Sequence, residues 1–392
     1  MPIKAPQLIE SLEQLIALPS ISCTRPALDQ GNRKVVDLLA GWLDDLGFNT
    51  QIQPLSADGS KANLIATAGS GDNGLVLAGH TDTVPCDEHR WTSDPFKLTE
   101  VDNRLFGLGT ADMKSFFALV IEAIRDLDLA RLQRPLIILA TADEETSMNG
   151  ARALNAGHLS NARFALIGEP TGLRPVRMHK GMMMEAIRLT GLSGHSSNPA
   201  LGNSALEAMH RVMTELLEWR KQLQNTYNNP LFDIPVPTMN LGHIHGGDNP
   251  NRICGHCELQ IDIRPLPGMV LADLRHELEL RLQQTLAGSG ISCETEALLE
   301  GVPAVETPAD SELVKIVERL TATSSEAVAF STEAPFYNSM GMDSVVLGPG
   351  HINQAHQPDE YLETGQIAPA IQLIRKLVHH FCMQPGTLRV RP

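Results

Sequence analysis

The sequence has no apolar run approaching the roughly 20 residues needed to cross a bilayer, so a membrane span is not expected. Its N-terminus, MPIKAPQLIE, lacks a continuous apolar core behind its single lysine, and a secretory leader is not expected either. Positive charge is also short: 31 Lys and Arg against 46 Asp and Glu leave a formal charge of −15 and no long basic run. That balance repels phosphate backbones and anionic lipid, which argues against nucleic-acid and membrane partners. Cysteine is sparse, with six residues (Cys23, Cys86, Cys254, Cys257, Cys293, Cys382) scattered along 392 positions. Without secretory features these read as reduced thiols in a cytoplasm rather than as a disulfide framework. Internal repeats and low-complexity segments are absent.

What is there is ordinary in bulk and informative in order. A chain of 392 residues exceeds one ordinary core and suggests two domains or three. QLIESLEQLIAL and NRKVVDLLAGWLDDLGF carry apolar residues at helical spacing. Short apolar runs then end in Gly, Asp or Pro: ANLIATA, GLVLAGH, PLIILATADEE, FALIGEP and, late in the chain, DSVVLGPG. Helical segments such as SFFALVIEAIRDL separate them, the texture of buried parallel strands in an α/β layer. A final amphipathic helix is expected around IQLIRKLVHHF.

Between residues 181 and 302 the texture changes. The run MMMEAIRLTG reads as a strand, and a helix opens at Ser204 with Glu207 three residues on, a capping-box spacing. Its expected apolar stripe is Leu206, Met209, Met213 and Leu216. Strands at TMNLGHIHGG and CELQIDIRP, the helix DLRHELELRLQQTL and the strand ISCETEALLEG complete a strand–helix–strand–strand–helix–strand order. We therefore expect an α/β fold: a mostly parallel catalytic domain over 1–180 and 303–392, with an inserted α+β, ferredoxin-like unit over 181–302.

The acids and histidines fall at the ends of the strands. His80 and Asp82 close LVLAGHTD, Glu144 and Glu145 close LIILATADEE, Glu169 closes FALIGEP, and His356 follows VVLGPG after a short loop. Asp112 lies in GLGTADMKSFF, between a glycine loop and a helix. Ligands of open α/β sheets collect outside the carboxyl ends of the strands, so these groups would converge. Carboxylates gathered in one crevice repel unless protons or cations neutralise them. Imidazole mixed with carboxylate suits zinc, manganese or cobalt better than calcium or magnesium. Two divalent ions would balance three carboxylate ligands and a hydroxide, which favours a pair of ions over one.

Each residue has a plainer reading. A lone histidine is more often a satisfied core residue, Asp112 could be a helix N-cap, and Glu144–Glu145 could be a solvated turn. Placed together at successive strand ends, they are better explained by a shared site. CGHC at Cys254–Cys257 matches a redox tetrapeptide but begins a strand rather than a helix, and GLGTAD lacks the third glycine of a dinucleotide fingerprint.

The runs GHTDTVP, GLGTADMK, ADEETS, IGEPT, GHSS and QAHQPDEY resemble the metallopeptidase family that includes aminoacylases, carboxypeptidases and succinyl-diaminopimelate desuccinylase. The resemblance covers nearly the whole chain, the inserted unit included. It implies an amidohydrolase acting on a small acylated amino acid, with two divalent metal ions, zinc or alternatively cobalt. It implies that His80 and Glu169 hold one ion, Glu145 and His356 the other, and that Asp112 bridges them. Asp82 would orient His80, Glu144 would be the general base, and His195 would support the oxyanion, in this family often across a dimer interface. A homodimer through the inserted unit and a non-proline cis peptide at Asp112–Met113 belong to the same implication. For substrate binding it points to Asn251 and to Arg264 as partner of an α-carboxylate. The stretch STEAPF departs from the desuccinylase, which carries an arginine where this chain has Pro335; with no cation there and a negative charge at Glu333, we expect Glu333 to face the crevice and favour cationic side chains. A catalytically dead relative that only binds metal remains a reading of another class, although the full ligand set with Glu144 argues against it.

Overall fold

The structure, a computed structural model, describes residues 4–383. Its described chain divides into two units. One takes in Met178–Glu306 and Ala327–Ser331; the other takes the rest. The cut falls three residues before and four residues after the limits of 181 and 302 drawn from the sequence, and a short later segment joins the inserted unit.

The larger unit is built on a nine-stranded sheet whose first six strands run, in spatial order, Asn49–Pro54, Ala62–Ala68, Leu136–Thr141, Leu75–His80, Phe164–Pro170 and Asp343–Gly348. The last four of these six are mutually parallel. ANLIATA departs from the parallel expectation, because Ala62–Ala68 pairs antiparallel with both of its neighbours. Its burial on both faces gives it the unbroken apolar sequence of a parallel strand, which is why the two cannot be told apart from the sequence. Asn49–Pro54 alternates in exposure as an edge strand does.

Helices Leu8–Ile16, Arg33–Asp45, Lys114–Ile124, Glu312–Thr321 and Ile367–Val378 supply apolar faces to one core with these strands. In Lys114–Ile124 every residue except Glu122 is buried. Such a helix cannot be amphipathic in the usual sense, and its first turn lies directly under the strand ends. Two glycines permit that approach. A Cβ on Gly79 would stand 2.4 Å from the Met113 methyl, and one on Gly168 would stand 2.3 Å from the Phe116 ring.

The inserted unit is an antiparallel sheet in the order Thr238–Gly246, His256–Arg264, Met183–Thr190, Ser292–Ala297, with helices Ala205–Thr226 and Leu271–Leu286. Along His256–Arg264 alternate residues are buried (Cys257, Leu259, Ile261, Ile263), so one face of the strand packs into the core. The helix after Ser204 is capped as expected, with Ser204 Oγ accepting the Glu207 amide at 3.3 Å. Its stripe differs from expectation: Ala208, Met209, Val212, Leu216 and Trp219 are buried, while Leu206 is exposed and Met213 only half-buried. The buried face thus includes Val212 and Trp219 in place of Leu206.

All six cysteines are free, and the CGHC run enters the His256–Arg264 strand with Cys254 Sγ donating to the His256 carbonyl. No helix among the described residues is long and apolar enough to cross a membrane.

Candidate metal centre

Parallel register puts the strand ends at one edge. His80 lies beside Thr141, and Gly348 lies beside Pro170, the residue after Glu169. The chain leaves Thr141 into the turn that carries Glu144 and Glu145, and leaves Gly348 toward His356. Asp112 reaches the same edge from the turn before Lys114–Ile124, and the Asp112–Met113 peptide is cis.

Asp112 stands between two imidazoles. Its Oδ1 lies 3.0 Å from His80 Nε2, and its Oδ2 lies 3.5 Å from His356 Nε2. Glu169 Oε1 approaches His80 Nε2 at 3.8 Å, while Glu145 Oε2 approaches His356 Nε2 at 3.0 Å. The five residues that the sequence offered as metal ligands thus occupy one cluster around a shared carboxylate. Glu144 belongs to it too: ligand atoms of His80, Glu144 and Glu169, and of His80, Asp112 and Glu145, each lie within 4.8 Å of one another.

Asp82 does more than face His80. The His80 ring Nδ1 meets the Asp82 carbonyl oxygen at 2.9 Å and its carboxylate only at 3.7 Å. The carboxylate instead accepts the amides of Glu144 and Glu145, at 3.3 and 3.1 Å. One residue therefore sets the His80 ring and the two-glutamate turn together. An Nδ1–H donated to a carbonyl leaves the Nε2 lone pair pointed at Asp112 and Glu169.

The electrostatics show what the cluster lacks. Burial, reinforced first by Asp112, pushes the Glu169 carboxyl well above the usual carboxylate range, and burial together with Glu169 does the same to Glu144. Burial lifts Asp82 to about 7. His80 is driven down by burial, yet the Asp112 hydrogen bond and the Glu169 charge outweigh that and hold it well above the ordinary value. Hydrogen bonds to Asp112 and Glu145 lift His356 to about 10. Glu169 Oε1 is buried with no hydrogen-bond partner. Unpaired buried oxygens and imidazoles aimed at carboxylates are what a divalent cation satisfies, with carboxylate and imidazole donors in zinc-type proportion. The residues fit a pair of ions sharing Asp112.

Three groups escaped the sequence reading. Glu360 is buried, and its Oε1 accepts the amides of Gly109, Ala111 and Asp112 at 3.0, 2.7 and 3.0 Å. Burial nevertheless carries it up to about 8. Lys114, also fully buried, donates to the carbonyls of Leu15 and Leu18, and desolvation lowers it to about 8. Asp143, at φ 59°, binds Ser22 Oγ and Lys61 Nζ and shapes the turn before Glu144. The fragment QAHQPDEY contained Glu360, but no spacing rule marks a carboxylate whose partners are backbone amides.

The candidate substrate residues fare differently. His195, Asn251 and Arg264 lie in the inserted unit. His195 is exposed with Nδ1 beside Ser197 Oγ at 2.8 Å, Asn251 is exposed, and Arg264 Nε is paired with Asp262 at 3.0 Å. Glu333 requires correction. It has no solvent exposure, Oε2 accepts the Tyr337 hydroxyl at 2.8 Å, and burial raises its pKa. It does not open on a crevice as expected. Its charge raises the Glu144 and Glu169 carboxyls, so it lies near the cluster while being closed off from solvent.

The model of peptidase family M20/M25/M40 matches residues 76–380. An acetylornithine deacetylase of Pectobacterium carotovorum subsp. carotovorum (strain PC1) is 52% identical over 382 residues, 97% of this chain and 100% of that protein. One of Edwardsiella ictaluri (strain 93-146) is 53% identical over 384 residues, 98% of this chain and 100% of that protein. Among solved structures, the aminopeptidase PepT of Bacillus cereus ATCC 10987 aligns over 97% of this chain and 100% of its own, with TM-score 0.77 and 19% identity. A dinuclear metal binding peptidase from the M20 family, of Bacillus subtilis, aligns over 94% of this chain and 96% of its own, with TM-score 0.68 and 16% identity. At those identities the likeness to solved structures is one of fold.

Proposed function

This chain belongs to peptidase family M20/M25/M40, and from that premise we propose that it hydrolyses N-acetyl-L-ornithine to L-ornithine and acetate, a step of arginine biosynthesis. The enzyme class is a metal-dependent hydrolase. The substrate rests on one observation: relatives more than half identical over essentially their full length carry the name acetylornithine deacetylase.

His80 and Glu169 would hold one ion and Glu145 and His356 the other, with Asp112 shared; zinc is the expected metal, with cobalt able to substitute. When bound, the ions polarise the amide carbonyl and acidify water toward neutral pH. Glu144 takes the proton of the attacking water and delivers it to the amine nitrogen as the C–N bond breaks. It is the one acid of the cluster that is not paired with either imidazole as a near neighbour, so it remains available for that transfer. Asp82 keeps Nε2 of His80 directed inward and holds the Glu144 turn against it. From the inserted unit, His195 supports the oxyanion, and Asn251 and Arg264 bind the substrate, Arg264 taking its α-carboxylate as a bidentate partner. The unit's strand order is that of a ferredoxin-like sandwich, and it serves as lid and homodimer surface of a cytoplasmic enzyme.

Initial rates on a panel of acylated amino acids test the substrate. Acetylornithine should give the highest kcat/KM, above acetylmethionine and well above succinyl-diaminopimelate. A preference for succinyl-diaminopimelate would overturn the assignment while leaving the hydrolase intact.

A further inference from the structure

Two chain segments bring metal-ligating residues to the cluster from outside the sheet: the glycine loop that ends at Asp112 and the loop that carries His356. They are stitched to each other by Glu360, four residues after His356. Its carboxylate accepts three amides of the glycine loop, those of Gly109, Ala111 and Asp112 itself. Its own carbonyl accepts the Gly107 amide at 3.1 Å. Next to it, Asp359 binds the Thr92 amide and hydroxyl, at 2.8 and 3.0 Å, so the segment is tied down on both sides. His356 and Asp359 adopt left-handed backbone, with φ of 60° and 59°. Such a loop holds one shape only when its surroundings enforce it.

We propose that Glu360 is a positioning residue: by gripping the Gly109–Asp112 backbone from the His356 loop, it fixes Asp112 with one oxygen toward each imidazole. The inference rests on the reading of a two-ion site shared by Asp112. A fully buried carboxylate is an expensive way to hold a loop, since a neutral side chain could accept amides without the desolvation cost. All three amides converge on one oxygen, Oε1, so a single side chain holds the loop from Gly109 to Asp112. The spacing between Asp112 and His356 thereby becomes a property of that side chain. Residues that orient ligands in this way typically change metal affinity or activity by about 10–100-fold when altered.

The test compares Glu360→Gln, Glu360→Asp and Thr110→Val with the unaltered protein. Thr110 Oγ1 donates to the Gly107 carbonyl at 2.6 Å and lies 3.4 Å from the Glu360 carbonyl, so its removal loosens the same loop while leaving the Glu360 carboxylate and its three amides in place. Each protein is stripped with a chelator and titrated with cobalt, and binding, the visible spectrum, the melting temperature without metal, kcat and KM are recorded. Glu360→Gln should weaken cobalt binding about 10–100-fold and alter the spectrum, with kcat falling more than KM rises. Glu360→Asp, one methylene short, should also shift the spectrum, while Thr110→Val should lower the melting temperature and leave the spectrum unchanged. If Glu360→Gln binds cobalt with unaltered affinity and spectrum, or if losses in all three variants simply track melting temperature, the proposal fails. If the unaltered protein does not take up two equivalents, the two-ion reading fails first, and the proposal with it.

Discussion

At the residue scale the decisive question is how two adjacent glutamates divide their labour. Glu145 is paired with His356, whereas Glu144 sits with His80 and Glu169 as a third, unpaired acid. A ligand should be held by its partners and a base should be free to move a proton. Glu144→Gln keeps the outline of the side chain and removes only the proton acceptor. It should retain metal content, measured by elemental analysis, while turnover falls at least ~100-fold. Loss of metal in that variant would exchange the roles of the two glutamates. The gathering of the five candidate ligands was legible in the sequence because His80, Glu145 and Glu169 follow apolar strands, while Asp112 follows a glycine loop and His356 the exit from a strand. Glu360 and Asp82's grip on the Glu144–Glu145 turn were not, because both act through backbone amides, which every residue possesses. Glu333 was misplaced for a different reason. Its charge suggested a crevice-facing partner for a cationic side chain, and only the structure shows Tyr337 one turn on, donating its hydroxyl to it in the interior.

At the element scale, the site depends on how closely one helix can approach the sheet. Lys114–Ile124 begins immediately after Asp112, and its Phe116 ring lies flush against Gly168, the residue before Glu169. The helix therefore fixes the height of Asp112 relative to Glu169. Gly168→Ala would drive a methyl group into a ring 2.3 Å away, on the backbone that carries the candidate ligand Glu169. Overpacking of this kind costs about 1–3 kcal/mol, and the strain can be relieved only by lifting the helix or the strand end. We expect a lower melting temperature and, in addition, weaker metal retention on dialysis. A variant that is destabilised but keeps full metal content would show that the helix and the ligands are mechanically independent. The strands themselves were read correctly in place but not always in direction. Ala62–Ala68 looks parallel because burial on both faces, rather than strand direction, decides its composition.

At the scale of the whole molecule, the candidate ligands and the proposed base all lie in the larger unit, yet the proposed oxyanion donor, His195, belongs to the inserted unit. His195 is exposed; its ring meets Ser197 of its own turn, and its backbone bridges to Arg252. A side chain presented in this way serves poorly as structure and well as a donor to something that docks beside it. If the inserted unit forms a two-fold homodimer, each site can take its base from one subunit and its oxyanion donor from the other. That arrangement predicts complementation. Glu144→Gln and His195→Ala should each be nearly inactive as homodimers. After co-refolding, about half the dimers at random assortment contain one chain of each kind, and each mixed dimer has one site with both Glu144 and His195 intact. Activity should then return to about a quarter of that of the unaltered protein, with KM restored because the recovered sites are whole. Activity that stays at the level of the separate variants, in a sample shown to contain mixed dimers, would place His195 and Glu144 of one site on the same chain.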